Sequence, residues 1–208
     1  MGDVRRLWIE GPTGRLEAAL RSAAAPCATA VIAHPHPLYG GTLHNPVVFH
    51  ADRELNRAGL ITLRFNFRGV GESDGFHDEG RGEIADVAAC AAWIRGLTPE
   101  LPLVLVGYSF GSRCSILHAL EDRRVAAVVA VGLPLRVLDL SAVAALDRPL
   151  GVVQGSRDAF GSPDEVRALA PRADVRVLDG AEHLFPGRAP DAGRAVAEVT
   201  RDLLSRLA

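Results

Sequence analysis

The chain has 208 residues, 48% hydrophobic and 23% charged, with a formal net charge of −2, the profile of one globular domain spanning 1–208 with a sizeable core. That near-neutral balance gives no electrostatic basis for a nucleic-acid or membrane partner, and no apolar run reaches membrane-spanning length. All 23 basic residues are arginine, and the lack of lysine excludes a Walker phosphate loop, a pyridoxal Schiff base and a Ser–Lys dyad.

The elements follow in chain order. Val4 to Glu10 and Arg15 to Leu20 flank Gly-Pro-Thr-Gly and read as an opening hairpin. Ala28 to Ala33 is a fully apolar strand ending at His34. Asn45 offers an N-cap with Pro46 at the first helical position, and that helix closes near Gly59. Leu60 to Phe67 forms the next strand, and the loop Arg68 to Gly82 follows it. Glu83 to Leu97 carries Ile84, Val87, Ala88, Ala91 and Ile94 at helical spacing. Leu103 to Val106 is a buried strand, Ser112 to Leu120 continues as a helix, and Val125 to Val131 is again a strand. Arg136 to Leu146 is short and of mixed character. Leu150 to Gln154 and Val175 to Leu178 are strands, Ser162 to Leu169 a brief helix, and Asp191 to Leu207 a closing amphipathic helix. Strands alternating with helices after a hairpin predict an α/β fold, a mostly parallel sheet with helices on both faces.

The most informative segment is Gly107-Tyr-Ser109-Phe-Gly111, set between a strand and a helix. That context is a nucleophile elbow, whose tight turn excludes side chains at the glycines and exposes the serine. A serine hydroxyl needs a base to take its proton and an acid to orient that base. Asp158 directly follows the strand from Leu150, and His183 directly follows the strand ending near Leu178. Both therefore emerge at the strand edge from which Ser109 emerges. Asp139 is the reserve acid, whereas His118 lies within the helix and points away. For the oxyanion hole, one donor is expected to be the N–H of Phe110. The other is expected from His34-Pro-His-Pro-Leu-Tyr-Gly-Gly41, where Pro35 and Pro37 have no N–H, leaving His36 or Leu38; the likeness of this loop to the His-Gly-x form favours His36.

Two competing motifs are weaker. His34, His36 and His44 suggest metal ligands, but alternating prolines stiffen the loop and no acidic or cysteine cluster completes a shell, so no metal or other cofactor is expected. Gly69-x-Gly71-x-x-x-Gly75 has the wrong spacing for a dinucleotide loop, and Arg68 is expected to anchor it by hydrogen bonds. Cys27, Cys90 and Cys114 are odd in number and widely spaced, which suits free, mostly buried thiols of a reducing cytosol. The opening residues show no signal-peptide core, so a cytoplasmic location is expected.

Ser109, Asp158 and His183, together with His34-to-Thr42 and Arg64-Phe-Asn-Phe-Arg-Gly-Val-Gly-Glu-Ser73, resemble the α/β-hydrolase superfamily over nearly the whole chain. The likeness is to its small, lid-less bacterial members related to dienelactone hydrolases. It implies Ser109 as nucleophile, Asp158 as acid, His183 as base and Phe110 as an oxyanion donor. Dienelactone hydrolases usually carry cysteine at the nucleophile, so Ser109 argues against that particular activity. Only about sixteen residues separate Leu133 from Pro149, too few for a helical cap beyond one short helix. An open site is expected, its substrate wall including Leu38, Tyr39, Leu135 and Phe185. The expected activity is hydrolysis of a small carboxylic ester or thioester, a small-molecule acyl substrate, through an acyl-enzyme. A peptidase or acyltransferase with the same residues, and a non-catalytic binding module on the same fold, are the alternatives.

Overall fold

The computed structural model describes residues 2–207. Its eight strands are β1 (Val4–Gly11), β2 (Gly14–Arg21), β3 (Ala28–Ala33), β4 (Leu60–Phe65), β5 (Leu103–Tyr108), β6 (Val125–Val131), β7 (Leu150–Gly155) and β8 (Asp174–Leu178). They form one sheet in the order β1-β2-β4-β3-β5-β6-β7-β8. The β1–β2 hairpin is antiparallel and β2 pairs antiparallel with β4, while every pairing from β4 to β8 is parallel. Among the described residues five α-helices accompany the strands: α1 (Pro46–Arg57), α2 (Arg81–Leu97), α3 (Phe110–Glu121), α4 (Pro163–Leu169) and α5 (Ala189–Ser205).

The central strands are apolar without alternation because both their faces are covered. Every residue of β3, β5 and β7 is buried, as parallel strands between helical layers require. Within β3, Ala28, Ala30 and Ile32 join the core under α1 and α5, whereas Val31 and Ala33 join the one under α2, α3 and α4. The period of two along the strand thus feeds two cores from one sequence.

The helix caps follow local chemistry. The Asn45 side chain accepts the Val47 N–H at 2.9 Å, with Pro46 opening α1. Ser162 and Glu165 form a reciprocal capping box on α4. Helix α2 begins two residues before the expected Glu83, because the Glu83 carboxylate accepts the Gly80 N–H and completes that first turn. Strand β4 ends at Phe65 rather than Phe67. Asn66 sends its N–H to the Glu17 carbonyl and Phe67 sends its N–H to His34 Nε2, which turns the chain out of the ladder.

Between β6 and β7 the segment of mixed character becomes a 3₁₀ turn at Ser141–Ala145. Leu140, Val143 and Leu146 are buried in the core beside α3 and α4, so this segment packs down and forms no cap. Among the described residues no helix is long and apolar enough to cross a membrane. Cys90 and Cys114 are buried, and burial pushes both thiols well up from their ordinary range. Cys27, in contrast, is exposed, because it sits in the connection before β3 rather than within an apolar element.

The order of the strands sets where a site can form. From β3 the chain passes to α1 on one face, while from β5 it passes to α3 on the other. The loops leaving these two neighbouring strands therefore part from each other and open a crevice at their carboxyl ends.

Candidate active site

Ser109 stands at the mouth of that crevice with φ 53° and ψ −112°, a left-handed conformation rarely adopted outside glycine and one that stores strain. Its N–H donates to the Val131 carbonyl at 2.8 Å, which ties the turn to β6. The flanking glycines are needed for close approach. A Cβ at Gly107 would lie 2.3 Å from the Gly111 carbonyl oxygen, and one at Gly111 would lie 2.5 Å from that of Ala33.

The structure brings three of the expected residues into line. Ser109 Oγ is 2.9 Å from His183 Nε2, and His183 Nδ1 is 2.8 Å from Asp158 Oδ2. Asp158 and His183 are both buried, each on the loop leaving the carboxyl end of its strand, β7 and β8 respectively. An ionised carboxylate accepts only, so the imidazole proton resides on Nδ1 and Nε2 presents its lone pair to the serine hydroxyl. Asp139 is exposed and accepts from the Ser141 N–H and Oγ of its own turn, with no hydrogen bond to His183. His118 is buried on α3 beside Asp122, 3.6 Å away.

Three further residues, to which the sequence analysis gives no role, hold the alignment. Gln154, fully buried at the end of β7, donates to Asp158 Oδ2 at 2.9 Å and to the Gly161 carbonyl at 2.7 Å, and accepts the Leu133 N–H at 2.8 Å. Its signal was visible: it is the one polar side chain in an apolar strand, four residues before the acid. The buried Tyr108 hydroxyl donates to the His183 carbonyl at 2.9 Å, and burial together with the Asp158 charge pushes that phenol upward. The Phe160 N–H donates to Asp158 Oδ1 at 2.8 Å while its ring lies 4.4 Å from the His183 ring; nothing in the sequence pattern distinguishes it.

Opposite these loops lies the His34–Gly41 segment. Among the described residues the N–H groups of Phe110 and His36 have no protein partner, whereas the Leu38 N–H is taken by His36 Nδ1 at 3.2 Å. Of the two loop donors considered, His36 is thus the one left available. The His36 ring packs 4.8 Å from that of Phe110, and burial lowers the basicity of its imidazole.

His34 is completely buried with both ring nitrogens engaged. Nδ1 lies 2.6 Å from the Pro35 carbonyl and Nε2 accepts the Phe67 N–H at 3.1 Å. This is a neutral imidazole, and burial pushes its pKa down to about 4. Among the described residues no three His, Cys, Asp or Glu side chains converge as metal ligands. Arg68 makes a paired contact with the Asp86 carboxylate, at 2.7 Å from Nη2 to Oδ1, and also reaches the Gly82 carbonyl. Glu83 is buried and accepts the N–H groups of Asp78 and Gly80. The glycine-bearing loop is therefore pinned at both ends behind Phe110.

The expected substrate wall divides. Tyr39 is 87% exposed and packs against the His36 ring, Leu38 is exposed beside it, and Leu135 is half-buried near Gly161. Phe185 corrects the expectation: it is 1% exposed, turned inward by φ 49° and packed against Tyr108 in the core under α5. The exposed apolar side chain of this loop is Leu184.

Residues 26–205 match a family described as an alpha/beta hydrolase domain. An uncharacterized protein of Rickettsia prowazekii is 32% identical over 205 residues, covering 92% of this chain and 86% of that protein. A Xanthomonas campestris serine hydrolase without a lid is 30% identical with a TM-score of 0.86, covering 96% of this chain and 94% of that one. A Coxiella burnetii serine hydrolase homologue is 32% identical with a TM-score of 0.87, covering 95% and 97%.

Proposed function

Because the chain belongs to the alpha/beta hydrolase family, we propose that it is a serine hydrolase cleaving a small carboxylic ester or thioester through an acyl-enzyme on Ser109. The observation that carries this reading is the unbroken relay from Ser109 Oγ to His183 Nε2 at 2.9 Å and from His183 Nδ1 to Asp158 Oδ2 at 2.8 Å. His183 takes the hydroxyl proton as Oγ attacks the carbonyl carbon, and Asp158 holds the imidazole's orientation and stabilises its cation. Negative charge develops on the carbonyl oxygen beside the Phe110 and His36 N–H groups, which are free to receive it. The strained backbone of Ser109 keeps its hydroxyl presented without a conformational change during attack. His183 then activates a water molecule that releases the acid. The two bacterial serine-hydrolase structures support the reaction class.

Labelling with a fluorophosphonate probe tests the proposal. Wild type is expected to form a covalent adduct and Ser109→Ala none, with both proteins folded by circular dichroism. A folded wild-type protein that resists the probe and cleaves no p-nitrophenyl ester would refute the assignment.

A further inference from the structure

A cavity of about 260 Å³ has the base residue His183 in its lining. Its lining is Arg157, Ala159, Phe160, Glu182, His183 and Leu184, all contributed by the loops after β7 and β8. Three of the six lining residues are apolar: Ala159, Phe160 (40% exposed) and Leu184 (74% exposed). Arg157 and Glu182 bring one charge of each sign and make no ion pair among the described residues, so together they select for neither a cation nor an anion.

The position of the cavity relative to the relay decides what enters it. In acylation the imidazolium at Nε2 must return its proton to the departing oxygen or sulfur, so the leaving group lies on the His183 side. The carbonyl oxygen lies toward Phe110 and His36, where the free N–H groups are. Resting on the hydrolase reading above, we propose that this cavity is the leaving-group subsite, and that it takes an apolar, ring-sized alcohol or thiol portion of the ester against Phe160. The step balances without a further reactant. The Ser109 Oγ–carbon bond forms while the carbonyl π electrons move to oxygen. The tetrahedral adduct then collapses, the carbon–leaving-group bond breaks, and the proton taken from Ser109 passes from Nε2 to the departing atom, giving acyl-serine and free alcohol.

Size agrees with this assignment, since a benzene ring is held by a cavity of about 150 Å³ and about 260 Å³ is present. Phe160 is also placed firmly. Its N–H is bonded to Asp158 Oδ1 and its ring leans on His183 at 4.4 Å with a 51° tilt. The Phe160 ring is therefore set by the same carboxylate that sets the base.

Two ester series test the assignment on wild type, Phe160→Ala, Phe160→Leu and Leu184→Ser. One varies the alcohol at constant acetyl (ethyl, phenyl and 2-naphthyl acetates), and the other varies the acyl chain at constant phenol. Relative to wild type, Phe160→Ala should lower the phenyl-to-ethyl ratio of kcat/KM by roughly three- to tenfold, the worth of one aromatic contact; Phe160→Leu and Leu184→Ser should each give a smaller drop. The acyl-chain ratios should hold. A phenyl-to-ethyl ratio unchanged in all variants overturns the subsite, as does a change confined to the acyl series, which would mark the cavity as the acyl site. Fluorophosphonate labelling of each protein separates the two levels of failure. A protein labelled at Ser109 with unmoved ratios sinks only the subsite, whereas an unlabelled wild type sinks the hydrolase reading and this one with it.

Discussion

Two buried aspartates in this molecule have opposite surroundings. Asp52, on α1, is met by Arg21 Nη2 at 2.7 Å, by Arg64 Nε at 3.5 Å and by the Thr62 hydroxyl at 2.5 Å. Asp158 is met by His183 Nδ1, the Gln154 amide and the Phe160 N–H. Two permanent cations neutralise the first, and its network joins β2, β4 and α1. The second has neutral donors and one partner that can gain and lose a proton. A carboxylate held by arginines is committed to one state, whereas one facing an imidazole can answer a charge that comes and goes. Burial alone does not separate a structural carboxylate from a chemical one; the ionisation range of the partner does.

Substitutions at these two positions sharpen that contrast, beginning with the largest effect. Asp158→Asn should lower kcat/KM on phenyl acetate roughly ten-thousandfold with the fold retained, because a neutral amide can donate to Nδ1, favours the wrong imidazole tautomer and supplies no charge to balance the imidazolium. Steady-state kinetics beside a thermal melt checks it, and activity within tenfold of wild type would remove Asp158 from the relay. Asp52→Asn should do the reverse. It leaves two guanidinium groups buried without a counter-charge and should cost about 3–5 kcal/mol in urea unfolding, while kcat/KM of the folded fraction stays near wild type. A loss below about 1 kcal/mol would show that the network carries little of the stability.

A pH series probes a third buried group whose state is set by its surroundings. His34 is neutral in the fold, with its pKa pushed down to about 4 from an ordinary 6.5. As pH falls through 6.5 the unfolded chain binds a proton that the folded chain refuses, so stability present above 6.5 is lost progressively down to about 4. The difference is on the order of 3 kcal/mol. Burial also lowers His36 and His118, so the reading is the wild-type loss between pH 7.5 and 4.5 minus that of His34→Asn. Equal losses in the two proteins would contradict the assignment to His34.

The smallest effect concerns Gln154, a positioning residue that acts through Asp158. Gln154→Leu should reduce kcat/KM, and a double-mutant cycle with Asp158→Asn should show a coupling of about 1 kcal/mol. Additive losses would mean that Gln154 supports only the backbone at Leu133 and Gly161.

Much of the architecture is legible in the sequence. The strand Ala28–Ala33 and the Asn45–Pro46 helix start lie where the residues point, because an unbroken apolar run and a cap are local signals. Family membership is legible in the elbow together with the His34 and Arg64 loop motifs. The end of β4 is not legible there, because Asn66 and Phe67 are apportioned by partners far along the chain, Glu17 and His34. The inward turn of Phe185 is not legible either, because a loop phenylalanine next to a candidate base gives no hint of which way its backbone will turn it.

By itself the sequence determined the alternation of elements, the mostly parallel sheet and the serine poised between two glycines, since each depends on neighbours a few residues apart. Only the tertiary structure decided which acid meets the imidazole, which N–H groups remain free, and that Leu184 rather than Phe185 faces outward. Those outcomes depend on where strands from distant parts of the chain end beside one another, and on which hydrogen-bonding groups other contacts have already consumed.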